Sequence, residues 1–351
     1  MIRWFLLAAQ LAPVGAAWGQ ECGRCHSREA KAAASSPMSH ALQRGGESDI
    51  LRHNLELRFQ SGNLSYSIRR QDNQRIYSVT DGVRSISAPI EWAFGAGRVA
   101  QTYVYQRDGA YYEASVSFYP ALKGLDWTPG HAERVRRNIE EAAGRKLNVE
   151  AQRCFGCHST SAVWRGTSML ESLTPGVQCA QCHLGAAQHA AAVSRGATAQ
   201  ARMPKLAAME TEELANLCTK CHPSWGDIAA NGPRGVPNVR YQFYRLATSR
   251  CYDSADRRIG CTACHDVHGR VADESPSYDS KCQACHSSPN AVTRTCPVAK
   301  GNCITCHMPK VELPGMHYEF TDHHIRIVRV GEKYPNKFLT IFTRFEAAHP
   351  G

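Results

Sequence analysis

The sequence has no apolar run long enough to cross a bilayer, no fibrous or low-complexity repeat, and no basic stretch with interleaved aromatics. The first absence excludes a multi-span membrane protein. The second excludes a structural polymer, and the third removes the usual footprint of a nucleic-acid binder. Charged residues are only 21% and hydrophobic ones 43%. That mixture is not disordered, and 351 residues of it can fill one or two cores.

What is abundant is cysteine, sixteen residues alongside sixteen histidines. Chance would place about 0.03 Cys-x-x-Cys-His pentapeptides in such a chain, and there are seven. Their thiols are Cys22/Cys25, Cys154/Cys157, Cys179/Cys182, Cys218/Cys221, Cys261/Cys264, Cys282/Cys285 and Cys303/Cys306. The histidines that close them are His26, His158, His183, His222, His265, His286 and His307. The spacing has a chemical reason: two thiols reach the two vinyl groups on one edge of a porphyrin, and the next residue turns its imidazole to the iron. Zinc knuckles do not require a histidine after the second cysteine, and a dithiol oxidoreductase carries one copy, not seven. The expectation is therefore seven covalently attached haem c groups with those seven histidines as proximal ligands. Cys251 and Cys296 are left over and are expected to form a disulfide, with two isolated thiols as the alternative.

Residues 1–19 read as a signal peptide. A short basic start precedes an apolar run of about eleven residues from Trp4, too short for a span. Ala17-Trp18-Gly19 then offers small residues for cleavage before Gln20. No cysteine stands at that point, so there is no lipoprotein signal. Together with the haem motifs this predicts a periplasmic or extracellular protein. The net charge of +10 is explained by the cofactors. Without Arg3, and with propionates and ferric irons added, the formal charge falls to about +2 oxidised and about −5 reduced. No nucleic-acid partner is expected.

The expected fold class is α+β, with an N-terminal β-rich domain followed by a mainly α and irregular multihaem domain whose core is largely haem. The expected divisions are 20–46 for the first haem segment, 47–130 for the β-rich domain, 131–330 for a six-haem domain and 331–351 for a tail. Leu55–Phe59 and Leu64–Ile68 alternate as half-buried strands do, and Asp108-Gly109 between two strand-like runs signals a hairpin. Gly95–Ala100 spells a dinucleotide fingerprint but leads into a strand rather than a helix, so it reads as a turn. A helix is expected from about His131 to Ala143, closed by Gly144, and a capped one from Thr211 into the Cys218 motif.

Nine histidines remain beyond the motifs. His40, His53, His131, His189, His268, His317 and His323 are the candidate distal ligands, with Met38 a rival to His40. His324 neighbours His323, and His349 lies in the tail. Seven candidates for seven irons favour six-coordinate haem, because an iron with both axial positions filled has no room for substrate. A missing ligand would instead leave an open, reactive iron.

Two stretches carry a resemblance. Gly176-Val177-Gln178-Cys179-Ala180-Gln181-Cys182-His183, with His189 six residues on, resembles the G-V-x-C-x-x-C-H-G-P-G-x-x-H segment of multihaem cytochromes around hydroxylamine oxidoreductase. Leu184, Gly185 and Ala186 stand in place of G-P-G. Cys303–Lys310 with Thr321-Asp322-His323 downstream is similar to cytochrome c nitrite reductase, in which the histidine matching His323 is a distal ligand. That enzyme's Cys-x-x-Cys-Lys catalytic motif does not occur here. The resemblance covers roughly residues 150–330 and implies close haem packing.

The leading functional expectation is an exported heptahaem electron carrier. It would serve redox partner proteins or a quinol-oxidising membrane complex, and the sequence leaves room for a homo-oligomer. The alternatives are a reductase of a small nitrogen or sulfur oxyanion or hydroxylamine at one open haem, and a subunit of an extracellular cytochrome filament.

Overall fold

The computed structural model describes residues 21–165, 169–222, 228, 236–269, 271, 276–287 and 296–328. The expected signal peptide, His349 and the 331–351 tail lie outside the described residues. The architecture is α+β. An antiparallel nine-stranded sheet is followed by short helices, several of them built around or leading into a Cys-x-x-Cys-His motif.

The sheet comprises β1 (Leu42–Arg44), β2 (Glu56–Ser61), β3 (Leu64–Gln71), β4 (Gln74–Thr80), β5 (Ser85–Phe94), β6 (Gln101–Arg107), β7 (Ala110–Tyr119), β8 (Gly124–Trp127) and β9 (Gly144–Lys146). Strands β2 to β8 pair in sequence order, β1 adds to β5 and β9 to β7. The β region therefore begins before residue 47 and runs past 130, because β1 and β9 complete its hydrogen bonding.

Alternation explains the early strands: on β4 Arg75, Tyr77 and Val79 turn inward while the residues between them are half-exposed. Strand β7 is buried along nearly its whole length, since apolar clusters lie on both of its faces. The sheet curls until Trp127 of β8 packs edge-on against Phe59 of β2, their ring centroids 5.1 Å apart. The Asp108-Gly109 hairpin forms with φ of 51° and 74°, the left-handed pair that a two-residue turn needs. Gly95 and Gly97 sit in a turn, as expected.

One helix is shorter than the sequence pattern implies. It spans Ile139–Ala143, not His131–Ala143, and Asn138 caps it by accepting from Glu141 N at 2.8 Å. Residues 131–138 are held by other bonds. Arg136 lies 3.9 Å over the Trp127 ring and donates to the carbonyls of His131 and Arg134. Val135, which completed the helical spacing, is exposed. Gly144 follows the helix in extended conformation and pairs with β7, so close to it that a Cβ would come 2.3 Å from Glu113 O. The Thr211–Thr219 helix forms, but Glu210 is its N-cap residue and Thr211 Oγ1 donates instead to Asp256 O.

Candidate functional site

Each motif is a single helical turn or the end of a helix. His26 N, His183 N, His222 N and His265 N each bond the carbonyl of the first cysteine of their own motif, at 2.8–2.9 Å. The other three motifs lie in helices Glu150–His158, Pro276–His286 and Cys303–His307. Positions i, i+3 and i+4 share one face of a helix, so both thiols and the imidazole are presented together.

The motifs lie against one another. The Cys22 thiol hydrogen-bonds Cys179, Cys157 pairs with Cys221, Cys218 with Cys261, and Cys282 with Cys303. Cys182 is within electrostatic reach of Cys218, and Cys264 of Cys282. Taken in space, the motifs run first, third, fourth, fifth, sixth, seventh, with the second beside the fourth. The bond from Cys221 draws the Cys157 thiol down to about 7 against the opposing effect of burial.

Three of the fourteen thiols expected to carry haem are exposed, Cys264 among them although it lies within electrostatic reach of Cys282 and Cys251. Cys25 and Cys306 are the other two, and the contacts they make are local ones. Cys25 N donates to Cys22 O at 3.2 Å, and Cys306 Sγ lies 3.8 Å from the hydroxyl of its neighbour Thr305. Cys25 and Cys306 belong to the first and seventh motifs, each of which meets one neighbouring motif. Their partners within the motif, Cys22 and Cys303, take that one contact.

The first and third motifs are tied by backbone as well. Val177 N donates to Met38 O at 2.9 Å, and Gly176 (φ 70°) sits where a Cβ would fall 1.9 Å from Ser39 O. Asp279 of the sixth-motif helix accepts from Asn302 N and Cys303 N at 2.7 and 2.9 Å. It caps the turn of the seventh motif, and those bonds hold its carboxyl below the usual range.

The second motif is seated on the sheet. Phe155, between its cysteines, is fully buried and edge-on to Trp92 and Phe94 at 5.8 and 4.9 Å. His158 packs against Phe94 at 5.2 Å and donates from Nδ1 to Ala41 O at 2.7 Å. His307 Nδ1 likewise donates to Arg326 O at 2.9 Å. A bond of this kind fixes the tautomer and leaves Nε2 basic, the usual arrangement of a metal-binding histidine. Burial pushes the imidazoles of His158, His183, His222 and His265 below their ordinary value, favouring the neutral form that binds a metal. His286 closes the sixth-motif helix.

Three non-motif histidines face motif histidines. Ring centroids are 6.3 Å apart for His26 and His189, 6.1 Å for His183 and His268, and 6.2 Å for His265 and His323. His323 is pushed down to about 4, first by burial and then by His265. The other expected ligands are engaged elsewhere. His131, 1% exposed, donates from Nε2 to Glu113 Oε2 at 2.8 Å. His317 donates from Nε2 to Asp126 Oδ2 at 2.8 Å and lies edge-on to Tyr119. His40 donates to Ala34 O, and His53 donates from Nδ1 to Asp49 O within its own helix. The carboxylates beside His131 and His317 were not legible as partners, because they arrive from strands β7 and β8.

Cys251 and Cys296 are not joined: among the described residues no disulfide is formed. Cys251 is within electrostatic reach of Cys264 and Cys285, while Cys296 accepts from Ala299 N. In place of the expected disulfide stand two exposed thiols, Cys251 beside the fifth and sixth motifs and Cys296 apart from them.

A residue set that sequence reasoning missed lies behind His323. Asp322 is fully buried and accepts from Arg245 Nε and Nη2 at 2.8 and 2.9 Å and from Arg326 at 2.6 Å. Ser249 Oγ accepts from Ile325 N. These bonds pin the strand-like segment on both sides of His323 to the Gln242–Ala247 helix.

The residues fit haem better than zinc. Among the described residues no three of His, Cys, Asp and Glu converge as a metal cage. Facing imidazole pairs and paired thiols beside a histidine are what a six-coordinate haem c requires. No helix among the described residues is long and apolar enough to cross a membrane.

Comparison with known proteins agrees with this. Residues 126–184, which hold the second and third motifs, match the family model described as cytochrome c554 and c-prime. The fold is similar to the solved structure of the outer cell wall cytochrome OcwA, with a TM-score of 0.53 over 88% of this chain and 79% of that one. Identity is 13%, so the likeness is one of fold. No curated protein matches. The site and these matches support a c-type cytochrome, a haem-bearing electron-transfer protein.

Proposed function

We propose that this chain is an exported heptahaem cytochrome that moves electrons along a continuous line of haems. The observation that carries this is the contact between successive motifs, whose thiols bond or approach one another from Cys22 to Cys303. Haem c, when bound, supplies a one-electron couple whose potential follows axial ligation, burial and hydrogen bonding. The polypeptide's part is positional. Backbone carbonyls orient His158 and His307, Phe155 seats the second motif on the sheet, and Asp279 fixes the seventh against the sixth.

The fourteen motif cysteines would hold the haems, and the seven motif histidines would be proximal ligands. The first and seventh haems, at the two ends of that line, are where electrons enter and leave. His189, His268 and His323 are the distal ligands that the ring geometry supports. His131 and His317 serve instead as buried and half-buried partners of Glu113 and Asp126. The partner is a redox protein or a quinol-oxidising membrane complex outside the cytoplasm, consistent with the outer cell wall in the name of the similar cytochrome.

The test is haem stoichiometry by pyridine haemochrome together with low-temperature electron paramagnetic resonance of the oxidised protein. Seven haems with only low-spin signals is the expected result. Fewer haems, or a high-spin signal worth about one haem with turnover of nitrite, hydroxylamine or sulfite, would overturn the carrier reading in favour of a reductase.

A further inference from the structure

We infer that three distal imidazoles are supplied across motifs in a skip-one pattern. The histidine that follows the third motif serves the first, that following the fifth serves the third, and that following the seventh serves the fifth. The pairs are His26 with His189, His183 with His268, and His265 with His323. The assignment rests on the haem reading above and extends it from which residues bind to which iron each one binds.

Distance carries the argument. With metal–nitrogen bonds of about 2.0–2.1 Å and a ring centre about 1.1 Å behind each nitrogen, two imidazoles on opposite sides of one metal have centroids about 6.3 Å apart. The three pairs lie at 6.3, 6.1 and 6.2 Å. His183 and His268 are within 5° of parallel, yet that separation is too wide for rings stacked face to face.

Orientation agrees. His189 Nδ1 donates to Ala201 O and His323 Nδ1 to Thr321 O, so in both the free nitrogen is Nε2, as for a ligand fixed by its outer bond. The Arg245–Asp322 ion pair holds the segment that carries His323.

Sequence proximity favours a different assignment, in which His189 serves the haem of His183 and His268 that of His265. Three residues span at most about 10 Å when extended. His268, three residues after His265, has too little chain to pass round a macrocycle to its opposite face. The His183 ring, 6.1 Å away, belongs to another motif and lies within its reach. The consequence is a lacing in which each odd-numbered motif is closed by the segment following the next odd one. The first, third, fifth and seventh haem segments should then form one cooperative unit.

The experiment uses the full haem-loaded chain. His189→Gly should create one high-spin, carbon-monoxide-binding iron, returned to low spin by added imidazole. In a Cys22→Ser/Cys25→Ser background, where the first haem is not attached, His189→Gly should add no high-spin iron. In a Cys179→Ser/Cys182→Ser background it should still add one. The opposite dependence on the two backgrounds would overturn the pairing and return His189 to its own motif. Should either background fail to fold, an electron cryo-microscopy map of the unmodified haem-loaded protein decides: His189, His268 and His323 each facing an iron other than the one named would overturn the pairing. A haemochrome assay finding no haem would instead overturn the reading on which the pairing rests.

Discussion

The sheet and the motif-bearing region solve the same problem of burial in different ways. Strands β1 to β9 enclose Tyr66, Tyr77, Tyr103, Tyr105 and Tyr119 at almost no exposure, together with Leu51, Ile68 and Val116. Past Leu147, among the described residues, only ten hydrophobic side chains are buried, and four of them are alanine. One region carries its own core in its side chains. The other is organised around cysteine and histidine, and on the present reading its apolar interior is the cofactor. Two folding strategies therefore meet in one chain, and Phe155 stands at the join.

The largest expected effect separates the two regions outright. Produced without haem attachment, the chain should keep slow hydrogen exchange over residues 42–146 and lose it over 150–328. Protection of both regions alike would break the comparison. Next is Phe155→Ala, which removes the ring seated between Trp92 and Phe94. It should destabilise by about 3–5 kcal/mol, read as a lower thermal midpoint with a shifted spectrum for one haem.

Asp322→Asn should cost a similar amount, about 3–5 kcal/mol, because it leaves a buried guanidinium without its counter-charge. Its pH signature sharpens the comparison. Burial alone would raise the Asp322 carboxyl, but the bonds and charge of Arg245, with Arg326, hold it below the usual range. A carboxyl depressed in the folded state stabilises fully above its unfolded value of about 3.9, and that stabilisation is lost as pH falls through the folded value. Acid denaturation of the motif region should therefore steepen below about pH 4, and Asp322→Asn should flatten it. Glu113 is its counterpart in the sheet. Burial is outweighed there by the His131 bond and the Arg145 charge, so Glu113→Gln should flatten acid unfolding of the sheet alone. The smallest effect is for Tyr77→Phe, whose hydroxyl donates to Ala143 O at 2.7 Å. Losing that bond should cost about 1 kcal/mol and leave the haem spectra unchanged.

Much of this was legible in the chain. The seven motifs, the Asp108-Gly109 hairpin and the alternation of β2 and β3 depend on neighbours within a few residues, and local spacing reports them faithfully. The helix expected from His131 was misread because cation–π and carbonyl contacts of Arg136 outweigh a weak periodicity. Strand β9 is only three residues long and owes its place to β7. The hairpin of Ser159–Arg165 with Met169–Pro175 interrupts a region expected to be helix and loop. Cys251 and Cys296 were paired by elimination, which carries no distance. Nor could the shared spacing of the pentapeptides tell which motif packs on which, or that Cys25, Cys264 and Cys306 end up exposed.

The sequence by itself determined the chemistry: which side chains present thiol, thiol and imidazole together, in seven turns, since one helical turn is a local object. Only the tertiary structure decided the geography. It set the motif next to each motif, the histidines facing each other at the width of a metal site, and those taken by Glu113 and Asp126 instead. A distal partner is chosen by proximity in space, and in a chain where sixteen histidines share one chemistry, spacing along the sequence cannot report distance across the fold.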